Sequence, residues 1–242
     1  MSAGHAQHLL HHPGDSPVHR LPPQVKIVAA LLTVLGVVAT PRAEFWAFGL
    51  YLVLIVAVGR VARVPVSHFA KRAFIEVPFV FVAVLMPIVG GAAGALAGWN
   101  ILAKGTLGVL TSLTLAATTT PRDLIVGLQR LRTPAVLTTI ATLMLRYLEV
   151  IAGEARRMRL ARISRGHDPR FLWQAGATAR GVGALFIRSY ERGERVHLAM
   201  LSRGWTGAMP ERGVAARPVT WLAGLTPVLA TAAVLATALW VP

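Results

Sequence analysis

Hydrophobic positions along the chain gather into five long runs separated by short polar or basic segments. The first covers residues 25–40, about 24 Å of helix at ~1.5 Å per residue, short for a bilayer core of ~30 Å. The second covers 43–59, carries Trp46 and Tyr51, and is followed by Arg60, Arg63, Lys71 and Arg72. The third, 73–90, contains Pro78 and Pro87, which predict a kink or a broken, re-entrant helix. Residues 90–99 read GGAAGALAGW. A loop is expected here, with a helix contact face at Gly90, Gly94 and Gly98 as the alternative. The fourth run is 101–119, interrupted by Lys104, and the fifth is 218–241. Residues 1–23 are polar and proline-rich, and no regular structure is expected there.

Between 121 and 217 the period changes to that of amphipathic helices. Thr120-Pro121-Arg122-Asp123 is a helix start: a hydroxyl cap, proline at the first position and an acid in the first turn. The short helix that follows sets Leu124, Ile125, Leu128 and Leu131 against Arg122, Gln129, Arg130 and Arg132, a pattern suited to a membrane surface. A long helix is predicted over 135–165, with a stripe of Leu137, Ile140, Ala141, Met144, Leu148, Ile151, Ala155 and Met158. A second is predicted over 173–203, with Val182, Leu185, Phe186, Ser189, Gly193, Val196 and Met200 opposite Arg188, Glu191, Arg192 and Arg195. Both end in the frame A-x-x-S-R-G: Ser164-Arg165-Gly166 and Ser202-Arg203-Gly204, 38 residues apart. Two ordinary C-caps explain either one alone. The repeat predicts two equivalent plugs for two equivalent sockets on a symmetric pair of partners, since a guanidinium fork pairs bidentately with carboxylates.

Composition agrees with a membrane protein. The 242 residues are 55% hydrophobic and 14% charged, with a mean hydropathy of +0.58, whereas soluble domains hold about 25% charged residues. There is no cysteine, which removes thiolate nucleophiles, zinc–thiolate sites and iron–sulfur clusters. The net charge is +15, and residues 121–217 hold 17 of the 25 basic side chains. That excess needs an anionic neighbour, here the lipid bilayer or an acidic protein. The basic segments in short loops place the N-terminus and the arginine-rich insert in the cytoplasm. A signal peptide over the first run is the weaker reading, because Pro41 spoils its cleavage site. The expected organisation is 1–120 (tail and four spans), 121–217 (coupling region) and 218–242 (last span). His5, His8, His11, His12 and His19 form the one metal-like cluster, read as a mobile polar tail with no metal site. His68, His167 and His197 read as structural, and Arg146 and Glu149 as an i,i+3 ion pair. Pro169 marks the turn between the long helices.

Several segments together resemble the transmembrane T component of energy-coupling-factor (ECF) transporters. They are Thr120-Pro121 with the run from Leu128 to Pro134, then Leu145-Arg146-Tyr147, Glu154-Ala155-Arg156-Arg157-Met158, and the two S-R-G endings. The opening Gly14-Asp15-Ser16-Pro17-Val18-His19-Arg20-Leu21, leading to Lys26, is similar to the cobalt-type T subunits, CbiQ. The resemblance implies an all-α polytopic membrane fold of about five transmembrane helices with long amphipathic cytoplasmic coupling helices. It implies a scaffold in the inner membrane joining two cytoplasmic ABC ATPase subunits to a membrane substrate-binding subunit (CbiM-like). The implied cargo is cobalt, with nickel or a vitamin as alternatives. Ser164, Arg165, Gly166, Ser202, Arg203 and Gly204 would then dock in grooves on the ATPases.

Motifs that are missing fit that role. No GxxxxGK[ST], HExxH or GxSxG occurs, so neither catalysis nor a cofactor is expected. A membrane-anchored nucleic-acid binder is disfavoured, because the basic residues interleave with stripes that must pack and no groove-reading motif appears. An intramembrane enzyme or stand-alone permease would need ionisable groups inside spans. Only Glu76 and Lys104 come close.

Overall fold

The computed structural model describes residues 14–65, 73–166, 176–209 and 216–240, and every regular element among them is helical. In chain order these are α1 (Pro17–Arg20), α2 (Pro23–Ala39), α3 (Phe45–Val61), a 3-10 turn (Ala73–Glu76), α4 (Val77–Thr118), α5 (Pro121–Arg130), α6 (Ala135–Ser164), α7 (Gly176–Leu201) and α8 (Pro218–Trp240). They divide into two compact units. Described residues 14–131 with 216–240 form the first, and 132–209 form the second.

The first unit is organised around α2, which packs against α4, α5 and α8. Lipid offers no hydrophobic force to push helices together, so close backbone approach at small residues has to do it. A Cβ at Gly36 would lie 2.5 Å from Thr231 Cγ2, and one at Gly224 would overlap Val25. At Gly127 it would lie 2.7 Å from Ile27 Cδ1, so α5 seats directly on the start of α2. Val37, Ala47, Phe48, Tyr51, Ile55, Leu107 and Ala238 form the buried core. The phenol of Tyr51 is satisfied by Thr40 Oγ1 at 3.0 Å.

Two lysines cap helix ends in a reciprocal way. Lys26, near the start of α2, donates from Nζ to Thr118 O at 2.9 Å, the last carbonyl of α4, and to His19 O at 3.1 Å. Lys104, within α4, donates to Val38 O at 2.7 Å and Thr40 O at 2.9 Å, where α2 ends. The last carbonyls of a helix have no intrahelical partner and carry partial negative charge, so an ammonium there satisfies both needs.

The expected loop at 90–99 is not a loop. The whole of α4 is helical except Gly91, at φ 57° and ψ −136°, where the chain turns back on itself. A Cβ at Gly94 would overlap the Met86 carbonyl, and one at Gly98 would lie 2.5 Å from the Ala83 carbonyl. Thr106 donates to Glu76 at 3.4 Å. So 77–90 and 92–118 are two antiparallel limbs in contact through Gly94 and Gly98. The contact-face reading holds for those two glycines but not for Gly90, and Gly91 makes the reversal. Physically, a stretch of small apolar residues has no polar atom to solvate a loop but can bring two backbones close.

The polar opening is also more ordered than expected. Ser16 caps α1, accepting from His19 N at 3.3 Å, and its Oγ meets His19 Nδ1 at 2.7 Å. Arg20 donates two bonds to Asp15, both 2.7 Å. Proline at the first helical positions of α1 and α2 starts helices rather than preventing them, because the N–H it lacks has no partner there anyway. His5, His8, His11 and His12 lie outside the described residues, as do His68, His167 and Pro169.

In the second unit α6 and α7 run antiparallel. Arg162 Nη1 donates to Thr178 Oγ1 at 2.7 Å, and Met158 sits beside Gly181. By length and apolarity alone α6 could cross a membrane, as could α8 and the segment Phe74–Thr118; α2 and α3 are shorter apolar helices. The amphipathic expectation for α6 therefore describes its arginine-rich C-terminal half better than its N-terminal half.

Candidate functional site

The two S-R-G segments close their helices with the same local geometry. At the end of α6, Ser164 Oγ donates to Ala161 O at 3.1 Å, Arg165 N to Arg162 O at 3.1 Å, and Gly166 N to Ile163 O at 2.9 Å. At the end of α7, Ser202 Oγ donates to Ala199 O at 3.1 Å, Arg203 N to Met200 O at 3.1 Å, and Gly204 N to Leu201 O at 2.9 Å. Gly166 has φ 76° and Gly204 φ 77°, a left-handed conformation that glycine adopts without a Cβ penalty.

This geometry accounts for the serine and the glycine but not for the arginine. The serine hydroxyl bonds a free carbonyl, and the glycine makes the turn. Both arginines are exposed, and neither guanidinium has a hydrogen bond or ion pair among the described residues. Five N–H donors in a rigid fork are therefore presented outward at each helix end.

The antiparallel pairing puts the two ends far apart. A groove of about 440 Å³ between the helices is lined by Val136 and Ile140 from the start of α6, and by Met200 and Trp205 from the end of α7. Arg203 thus lies beside the beginning of α6, while Arg165 ends it. The length of α6 between those points is about 40 Å at ~1.5 Å per residue. The unit presents one exposed arginine, without a partner among the described residues, at each end of a rod.

Glu154 pins the middle of that rod. Its Oε2 accepts from Arg157 Nη2 at 2.6 Å and its Oε1 from Arg188 Nη1 of α7 at 2.7 Å. The hydrogen bond from Arg157 first, and that from Arg188 after it, hold the Glu154 carboxyl below the usual carboxylate range. The expected Arg146–Glu149 pair is not what forms: the Arg146 guanidinium lies 6.0 Å from the Tyr147 ring centre. His197 is structural as expected, packing edge-on to Trp205 with ring centres 5.6 Å apart. The three-residue spacing of Glu154 and Arg157 was visible in the sequence. The partner on α7, 34 positions away, carried no signal.

Comparison with known proteins addresses the same segments. The family model described as "Cobalt transport protein", CbiQ, matches residues 14–213, from the Asp15–Arg20 turn through both S-R-G ends. This chain belongs to that family. Among relatives, the CbiQ cobalt transport protein of Rhodobacter capsulatus is 39% identical over 105 residues, 43% of this chain and 42% of that protein. The EcfT energy-coupling factor transporter transmembrane protein of Bacillus selenitireducens is 30% identical over 227 residues, covering 81% of this chain and 82% of the relative. A putative fused cobalt transport protein, CbiMQ, of Methanocorpusculum labreanum is 32% identical over 127 residues, 51% of this chain and 21% of the fusion. This CbiQ-family member is thus a T component of the ECF class, a multi-pass membrane component of a transporter. Its helix ends, brace and glycine hairpin can be considered as parts of a transporter.

Proposed function

We propose that the chain couples two cytoplasmic ABC ATPases to a membrane substrate-binding subunit, with Arg165 and Arg203 as the two mechanical links. The observation that carries this reading is the duplicated helix end: matched cap geometry, an arginine the cap does not use, and about 40 Å of rigid helix between the copies. Each arginine fork enters a groove on one ATPase and pairs with a carboxylate there. Ser164, Gly166, Ser202 and Gly204 set its angle. ATP is bound and hydrolysed by those partners, and this chain carries their closure along α6 and α7. The braced crossing at Glu154 keeps the pair moving as one body.

The membrane-side partner is a CbiM-like substrate-binding subunit. Support comes from the CbiMQ name of the fused relative and from the exposed apolar side of the second unit, where Leu137, Met144 and Leu148 of α6 and Val182 and Phe186 of α7 are uncovered. The cargo is cobalt, the metal named by the family and two of the relatives. The N-terminus and residues 121–217 face the cytoplasm of a cell whose inner membrane holds the remaining helices.

The test is co-expression of this chain with tagged candidate ATPase and CbiM-like subunits, followed by pull-down and radioactive cobalt uptake with nickel as competitor. Recovery of both ATPases and cobalt-preferring uptake is the expected result. Failure to recover any ATPase sinks the coupling role. Nickel outcompeting cobalt leaves coupling intact and overturns the cargo.

A further inference from the structure

The second limb of α4 turns a run of small residues, Gly105, Gly108, Ser112 and Ala116, toward a cavity of about 880 Å³. Val34 of α2 and Phe79 of the first limb form its walls. From Lys104 to Ala116 this floor runs about 18 Å at ~1.5 Å per residue, a little over half of a ~30 Å hydrocarbon core. That is the depth of one leaflet.

One end of the cavity is chemically different. Arg42, from the segment between α2 and α3, lines it together with Lys104 and Asn100. Lys104 spends two N–H groups on Val38 O and Thr40 O, so a third is left. Arg42 is exposed and has no ion pair or hydrogen bond among the described residues. Asn100 is only 7% exposed, yet its Oδ1 has no partner among the described residues. A buried amide oxygen left unpaired is costly unless something enters to bond it. Among the described residues no carboxylate lines the cavity. Two cations and an unpaired amide at the mouth of an apolar slot one leaflet deep match one chemistry: an anionic head on a hydrocarbon tail.

We propose that this cavity binds an anionic glycerophospholipid, with its phosphodiester between Arg42 and Lys104, a head or glycerol hydroxyl donating to Asn100, and an acyl chain along Gly108 and Ser112. The Arg42 fork suits a phosphate bidentately, and Lys104 adds a point charge. Glycine at 108 gives the tail its depth, while the Phe79 ring packs over Gly105 and closes the slot on that side. At Gly108 a Cβ would meet nothing within 4 Å, so a larger side chain there would fill the slot without disturbing the fold.

The test uses the purified full-length chain in mixed micelles holding phosphatidylglycerol and phosphatidylcholine of identical chains in equal amounts. Native mass spectrometry then counts the retained lipid. The expected result is one phosphatidylglycerol kept at least tenfold over phosphatidylcholine. Arg42→Gln should bring that ratio near one, Gly108→Leu should remove the bound lipid altogether, and Arg122→Gln, a cation on α5, should change neither. Equal retention of both lipids by the native chain overturns the proposal, as does indifference to both Arg42→Gln and Gly108→Leu. Displacement by inorganic phosphate, with no effect of Gly108→Leu, would show a free-anion pocket instead and also overturn it. In the assembled transporter, a photo-crosslinker at position 108 should label lipid. Labelling of a partner helix would make the groove a protein interface.

Discussion

Glu154 of α6 accepts from Arg188 of α7 at 2.7 Å, an ion pair that joins the two long helices. The same carboxylate accepts from Arg157 of its own helix at 2.6 Å. With Arg162–Thr178 further along, the pair has polar pins on one side of the crossing and the apolar groove on the other. Removing the acid should loosen the crossing while both helices stay formed. Because the chain has no cysteine, spin labels at Leu160→Cys and Val182→Cys report that crossing without interference. Glu154→Gln and Arg188→Glu should each broaden the inter-label distance distribution. The swap Glu154→Arg with Arg188→Glu should narrow it again at least partly. An unchanged distribution in all three variants would show the brace to be incidental.

Acid should mimic the loss of Glu154. The folded carboxyl sits below the free glutamate value of ~4.3 because Arg157 and Arg188 hydrogen-bond it. Asp15 is lowered in the same direction by its hydrogen bonds from Arg20. A depressed folded value means the contribution is fully present above about pH 5 and is lost as pH falls through the folded value. The inter-label distance should therefore be the same at pH 8 and pH 6, and broaden only below about pH 4. Broadening between pH 8 and pH 6 would point to a histidine instead.

Arg165→Ala and Arg203→Ala separate a plug from a cap. If each arginine pairs with a buried carboxylate on an ATPase, losing it strands that charge, at a cost of about 2–5 kcal/mol per site. Uptake should then fall at least tenfold in each single variant, and ATPases should no longer co-purify with the double variant. Lysine should rescue only partly, because the fork is lost. If the arginines act only on the helix dipole, each change costs ~0.3–1 kcal/mol and assembly survives. Co-purification of the double variant with both ATPases decides between them.

Gly91 and Gly94 should be intolerant in different ways. Gly91→Ala forces a side chain into φ 57° and ψ −136°, strain on the order of 1–3 kcal/mol. Gly94→Val overlaps backbone at Met86, which cannot yield as a flexible side chain can, so it should be the worse of the two. Melting temperature in detergent checks the order. Gly90→Ala, where a Cβ meets nothing, should be neutral.

Lys26→Met should destabilise more than a surface lysine change. It leaves the carbonyls of Thr118 and His19 without their donor in a buried position, worth about 1–3 kcal/mol. Lys26→Arg should recover part of that. A melting curve identical to that of the native chain in Lys26→Met would remove the capping role.

The helices themselves were legible in the chain, because apolar runs, proline starts and S-R-G ends are local signals. The start of α5 at Thr120-Pro121, the span of α6, and Gly166 and Gly204 as left-handed caps all follow from residues within one or two turns. Periodicity failed at 90–99. There the choice between loop and helix rested on whether Gly94 and Gly98 had another backbone to meet, and Met86 and Ala83 supply it only after the chain reverses at Gly91. The same limit hid Arg188 from Glu154, Thr118 from Lys26 and Val38 from Lys104. Each of those pairs spans 34 or more positions, and no periodicity links their members. Apart from residues 17–20 and 90–99, sequence by itself determined which segments are helices and where they stop, since capping and amphipathicity act over a few residues. Tertiary structure alone decided which carbonyl each buried lysine satisfies and how the arginine ends are spaced, since those depend on chain reversals that bring distant residues within hydrogen-bond reach.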